Sequence, residues 1–325
     1  CIESMRGNFA SALELVEKGL VKNAHNIKAR GLKAYVLRKL GRYSAAEAMI
    51  RENLKVDPFD YVSRLELAEL AKLTDLSQNG SNSAEYDRVT AEVCSLMRDF
   101  HENILMTARD YAEYGAYGEA IGTLDLCTEE WPMLGYYRAY YQMMMDVDAD
   151  VTEILAQAEG CSTDYCFPNK LEDIQALEAA IRRNPDGANA YYYLGNLYYD
   201  KYQYDKAIDN WECSAARNPE FAIVWRNLSL AYYNKRGDKD RAKEAMERAY
   251  RISPEDPRIF LELDQLYKKL KMTAKERLVR YEAQRSVFMQ RDDLMIEYAT
   301  LLNLTGHYEE AYRFIMDNRF HPWEG

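Results

Sequence analysis

Residues 188–219, ANAYYYLGNLYYDKYQYDKAIDNWECSAARNP, decide how the rest of the chain is read. The first half places Tyr191, Leu194, Gly195 and Tyr198 on one side of a helix, and the second half places Ala207, Trp211 and Ser214 on one side of another. Pro219 closes the unit. Small residues such as Gly195 and Ala207 let two antiparallel helices approach, and large aromatic rings fill the grooves that remain. One such pair cannot bury both of its apolar faces, so a neighbour is required.

The neighbour is present. Residues 222–254 repeat the plan with Trp225, Leu228, Ser229, Tyr232, Ala242, Ala249 and Pro254, with one extra residue in the turn and Gly237 where the first helix must end and the chain reverse. The turn itself has a fixed grammar. Gly is followed two residues later by an aromatic and five residues later by Ala at Gly41/Tyr43/Ala46, Gly115/Tyr117/Ala120, Gly306/Tyr308/Ala311 and Gly7/Phe9/Ala12. Residues 257 onward are degenerate. Phe260, Leu263 and Tyr267 fit, but Asp264 and Lys271 stand where small residues are usual.

This pattern of helix pairs, with small residues at the closest approaches and proline at the unit boundary, resembles the tetratricopeptide repeat family. The resemblance implies an all-α fold, a right-handed superhelix of about eight or nine helix pairs in which each unit covers the apolar face of the last. Along the chain we expect a partial repeat at 1–26, repeats over 27–132 with a polar loop insertion near 74–86, degenerate repeats over 133–187, two well-formed units at 188–254, and degenerate repeats over 255–318. An aromatic capping tail or junction occupies 319–325. Tyr198, Tyr232 and Tyr267 are expected in the core.

Function is less constrained. The formal net charge of −11 disfavours a polyphosphate partner, and no basic stripe offsets it, so no nucleic acid is expected. No apolar run reaches the 18 to 20 residues that would span a bilayer, so no membrane partner is expected either. The 6 cysteines have neither zinc spacing nor disulfide-scaffold density, and most are read as small buried apolar groups in a reducing, cytoplasmic setting, unless a longer parent carries a signal. His25, His101, His307 and His321 are isolated, and no nucleophile elbow, phosphate loop or dinucleotide turn is present. No cofactor, metal or catalytic residue is therefore assigned, and any enzyme chemistry would lie elsewhere in a longer chain.

The repeat resemblance points instead to the face of the first helices as a binding groove for a protein, a peptide or a neighbouring domain. Carried over from the fold, the inward positions are Asn189, Tyr192, Asn196 and Tyr199, then Arg226 and Tyr233 with Ile223 and Leu230, then Arg258, Gln265 and Lys268 with Leu261. Tyrosines and amides offer flat area and directional hydrogen bonds at modest ordering cost. Asn196 and Arg226 make a fragment of the family's carboxylate clamp, but Leu230 and Asp200 break it. The ending NRFHPWEG resembles bacterial multidomain proteins in which a mutarotase-like β-sandwich precedes such an array. That resemblance implies a platform role in a carbohydrate-active or saccharide-binding parent, with His321 and Glu324 at the junction.

Overall fold

The computed structural model describes residues 1–78 and 84–321, the side chains of 74–78 excepted, and among them there is no strand. The chain divides into two compact units, Cys1–Cys166 with Arg182–Asn184, and Phe167–Ile181 with Pro185–Gly325.

The first unit is built from α1 (Ile2–Met5), α2 (Phe9–Lys22), α3 (Ile27–Lys39), α4 (Tyr43–Val56), α5 (Tyr61–Gln78), α6 (Ala84–Met97), α7 (His101–Glu113), α8 (Tyr117–Leu124), α9 (Pro132–Met145) and α10 (Thr152–Gly160). They pack as successive pairs, α1 with α2 through α9 with α10. Most of the stretch read as a polar loop insertion is helical, since α5 runs to Gln78 and α6 opens at Ala84. Only 79–83 remain, and they lie outside the described residues. A buried Arg38 in α3 donates to both oxygens of Glu66 in α5 at 2.7 and 2.9 Å and to Glu119 in α8 at 3.0 Å. Burial pulls the Arg38 guanidinium down, but Glu66 outweighs that and holds it above its ordinary value.

The second unit contains α11 (Leu171–Arg183), α12 (Asn189–Asp200), α13 (Tyr204–Arg217), α14 (Ala222–Ala231), α15 (Lys239–Ile252), α16 (Pro257–Lys269), α17 (Ala274–Ala283), the short α18 (Arg285–Phe288), α19 (Asp292–Leu304) and α20 (Tyr308–Asp317). Here α12 pairs with α13, α14 with α15, and α19 with α20. The α16–α17 pair is closed by Phe260 packing edge-on to Tyr281 at 5.0 Å. Local chemistry sets the helix starts. Asp256 caps α16 ahead of Pro257, and Thr273 with Glu276 makes a reciprocal capping box at α17.

The repeated turn has one backbone solution. Gly41 N–H donates to Arg38 and Arg42 N–H to Leu37, and the same pair of bonds closes α7 at Gly115 and α19 at Gly306. Gly41 has φ +72°, a left-handed conformation that glycine adopts without a side-chain penalty. The extra residue of the 222–254 unit is taken up by a π-turn at Tyr232–Arg236, after which Gly237 resumes the left-handed cap. At the closest helix approach, any side chain at Gly195 would collide with the Trp211 indole. The equivalent pairs Ala34/Ala46, Ala108/Ala120, Ser229/Ala242 and Ala299/Ala311 are all buried.

Tyr198, Tyr232 and Tyr267 are core residues, as expected, and each hydroxyl meets a glutamate of the preceding second helix. Tyr198 donates to Glu178 at 3.2 Å, Tyr232 to Glu212 at 2.7 Å and Tyr267 to Glu247 at 2.7 Å. A cation lies over each ring, Lys206, Arg241 and Arg280 respectively. All six cysteines are free thiols, but only Cys166 is fully buried and Cys1 is exposed, so the reading of most of them as buried groups does not hold.

Candidate functional site

The first helices of the second unit, α12, α14, α16 and α19, are tied edge to edge by side chains. Asn196 Oδ1 accepts from Trp211 Nε1 at 3.1 Å and from Asn227 Nδ2 at 3.2 Å, linking α12 to α14. Arg226 then grips Glu262 of α16 through Nε at 2.6 Å and Nη2 at 2.5 Å, and Arg258 reaches the same carboxylate at 3.3 Å. Lys268 continues the line to Glu297 of α19 at 2.9 Å. Polar contacts thus bridge each neighbouring pair of these four helices.

These contacts reassign several predicted groove residues. Arg226 is a structural cation held bidentate, so it does not present a free guanidinium to a ligand carboxylate. Asn189 and Tyr192 are 8% and 6% exposed, and Phe221 covers the Tyr192 ring at a centroid distance of 4.9 Å. Asn196 is half-buried with its carbonyl oxygen shared between two donors. Tyr199 is half-buried beside Tyr204 and Trp211, at 5.1 and 5.4 Å. Exposed on this face stand Arg258, Gln265 and Lys268, with Tyr233 partly open.

Between α14 and α16 lies a shallow notch. Leu230, Tyr233 and Leu266 give it apolar walls, and Asn234, Gln265 and Glu262 give it a polar rim. Lys269 sits over the Tyr233 ring at 5.2 Å. Of these, Glu262, Leu266 and Lys269 lie outside the inward positions read from the sequence, whereas Leu230, Tyr233 and Gln265 are among them. Glu262 and Lys269 are the i+4 neighbours of Arg258 and Gln265, positions that the first-helix register does not select.

A second charged cluster joins α16 to α17 and α19. Asp264, 4% exposed, accepts from Arg277 at 2.8 and 2.5 Å and from the Tyr281 hydroxyl at 3.2 Å, and Arg277 also reaches Glu297 at 2.6 Å. Burial pulls Arg277 down, but its bonds to Asp264 and Glu297 outweigh this and hold it above its ordinary value. Burial likewise pushes Glu297 up, and Arg277 with Lys268 outweighs that to hold its carboxyl below the ordinary range.

At the junction, His321 is exposed and both its backbone N–H and its Nδ1 face Asp292, at 2.6 and 3.1 Å. Glu324, with Pro322 and Trp323, lies outside the described residues. Among the described residues no group of three or more His, Cys, Asp or Glu side chains could hold a metal ion. No described helix is long and apolar enough to cross a membrane.

Some of these helix pairs match a known repeat family. The tetratricopeptide repeat family matches residues 27–60, and again residues 174–212 and 195–257. Those segments are tetratricopeptide repeats.

Among solved structures, the chain is similar to MamA, at 20% identity over 67% of this chain and 92% of that one, with a TM-score of 0.27. It is also similar to a human IFIT1 dimer with PPP-AAAA, at 14% identity over 94% of this chain and 76% of that one, TM-score 0.36. A third is YrrB, described as a TPR protein with an unusual peptide-binding site, at 13% identity over 74% of this chain and 94% of that one, TM-score 0.26.

Proposed function

We propose that this chain is a noncatalytic scaffold that holds a protein or peptide segment on the first-helix face of its second unit. The observation that carries the reading is the notch between α14 and α16. Its apolar walls from Leu230, Tyr233 and Leu266 suit one apolar side chain, and Asn234 and Gln265 on its rim are placed to bond an extended backbone. Arg226 is paired with Glu262 and Lys268 with Glu297, and the Lys269 ammonium lies over the Tyr233 ring, so recognition in this reading rests on shape and amide hydrogen bonds with one cation at the rim.

The test is selection of a displayed random peptide library on the intact chain. Enriched peptides are expected to lose affinity about tenfold or more, some 1.4 kcal/mol, in Leu230→Asp and Tyr233→Ala, with helicity by circular dichroism unchanged. Lys243→Ala on the second helix α15 should bind as the parent does. Unchanged affinity in both notch variants would refute this placement.

A further inference from the structure

The helix α20 has two apolar faces. Ala311 and Phe314 are buried in the core with α19, while Tyr308, Tyr312, Ile315 and Met316 recur at i, i+4, i+7 and i+8 on a second face. That row is open, with Tyr308, Tyr312 and Met316 68%, 62% and 64% exposed. As far as His321, the chain leaving α20 turns toward α19 instead of over the row. Asn318 bonds back to the Phe314 carbonyl, Phe320 packs on the core, and His321 faces Asp292 at the start of α19.

Counted from the alanine after each turn, Ala207, Ala242 and Ala311, the row overlaps the face that α13 and α15 give to the next first helix. Ile208, the counterpart of Tyr312 in α13, is fully buried. Met246, the counterpart of Ile315 in α15, is buried among Ile259, Leu263 and Leu266 of α16. Glu212 and Glu247 each accept a tyrosine hydroxyl from the helix that covers them, and Met316 stands in their place. A further repeat of the same grammar would bring its tyrosine hydroxyl to a side chain that accepts no strong hydrogen bond. The row is therefore made for a different, more apolar helix, and a contiguous exposed apolar row is the mark of a contact surface.

The ends of α20 specify that helix. Glu309 and Glu310 stand in its first turn, and Glu309 is held only by the exposed Arg313 at 3.1 Å, a pair that contributes little in water. Just past the other end, the exposed Arg319 has no acidic partner among the described residues. The Tyr308 ring carries no cation, unlike the rings of Tyr198, Tyr232 and Tyr267. We propose that two copies of this chain associate through α20, packed antiparallel about a two-fold axis. Arg319 of each copy then reaches the Tyr308 ring and the Glu309 carboxylate of the other, and Tyr312 packs on Ile315 of the other. Two-fold symmetry makes every such contact twice, and the row meets each need with its own opposite end. One helix face against its copy is a small interface, so the association is a micromolar one.

The experiment is sedimentation velocity on the intact chain across about 1–100 μM, where a reversible monomer–dimer equilibrium is expected. Tyr312→Asp and Met316→Asp should each weaken the dimer by about tenfold or more. Helicity and Tm should stay unchanged, because both side chains are already exposed in the single chain. Leu230→Asp, in the notch, should dimerise as the parent does. Arg319→Glu should weaken the dimer by about tenfold, and Glu309→Lys added to it should recover most of that loss, since only the antiparallel register brings the two positions together. A monomer throughout the range, growth beyond a dimer, a dimer indifferent to both aspartate variants, or no recovery in the charge swap would each overturn the proposal.

Discussion

At the closest approach of α14 and α15 stand Ser229 and Ala242, and at the equivalent place between α16 and α17 stand Asp264 and Arg277. In the first pair the Ser229 hydroxyl donates to the Ala242 carbonyl at 2.6 Å and nothing charged is buried. In the second, Asp264 and Arg277 are 4% and 3% exposed, and their charges are compensated by each other, by the Tyr281 hydroxyl and by Glu297. The same helix contact can therefore be closed by small residues or by a matched ion pair. The difference lies in how each fails: small pairs degrade gradually, whereas a buried ion pair that loses one member leaves an uncompensated charge.

The largest expected effect breaks that comparison directly. Arg277→Ala or Asp264→Ser alone should each destabilise the fold by about 3–5 kcal/mol. The double variant Asp264→Ser/Arg277→Ala, which recreates the pair of the preceding repeat, should cost clearly less than the two single losses added together. Urea unfolding midpoints at constant slope check this, and additive losses would show that the pair is not a unit.

A smaller effect sharpens it. Lys271, at φ +67°, occupies the cap position that is glycine in most of the other turns. Lys271→Gly should stabilise by roughly 1 kcal/mol, read as a higher unfolding midpoint, whereas a loss would mean that the lysine contributes contacts of its own.

The pH dependence is smaller again for any one group. Glu297 is held below the ordinary carboxylate range in the folded chain, so its contribution is present above the unfolded value of about 4.3 and is lost as pH falls through the lower folded value. Glu119, held down by Lys39 and Arg38 against its burial, adds to the same acid limb. Glu297→Gln should lower stability at neutral pH and flatten its fall below about pH 4.3, measured by thermal melts across the acid range. An unchanged acid limb would contradict the assignment.

The repeat plan was legible because it is written in small residues and left-handed glycines, whose physical demands are local. Gly195 had to be small because Trp211 lies on it, and Gly41 had to reverse the chain. What stayed hidden is carried by long polar side chains whose partners sit in another helix. Glu178, Glu212 and Glu247 stand on second helices, and each receives the hydroxyl of a core tyrosine 20 residues further along the chain. Arg277 fills the place that Ala242 holds in the preceding repeat, and its partner Asp264 is the residue that stood out as departing from the small-residue pattern.

The groove was legible only in part. A register counted along one helix selected Tyr192 and Arg226 as inward-facing, but it could not show that Phe221 covers the one or that Glu262 of the next repeat claims the other. The same register did reach Tyr233 and Gln265, which line the notch. The carbohydrate-linked resemblance drew on the final segment, of which Pro322, Trp323, Glu324 and Gly325 lie outside the described residues.

The account's central claim is that a peptide occupies the notch between α14 and α16, and site-specific photo-crosslinking tests it most directly. A benzophenone amino acid is placed at Gln265 on the notch rim, or at Lys243 on α15 as the control, and each chain is irradiated with a library-selected peptide. The account predicts a peptide adduct from position 265 that Leu230→Asp abolishes, and none from position 243. Adducts of equal yield from both positions, or from position 243 alone, would contradict it.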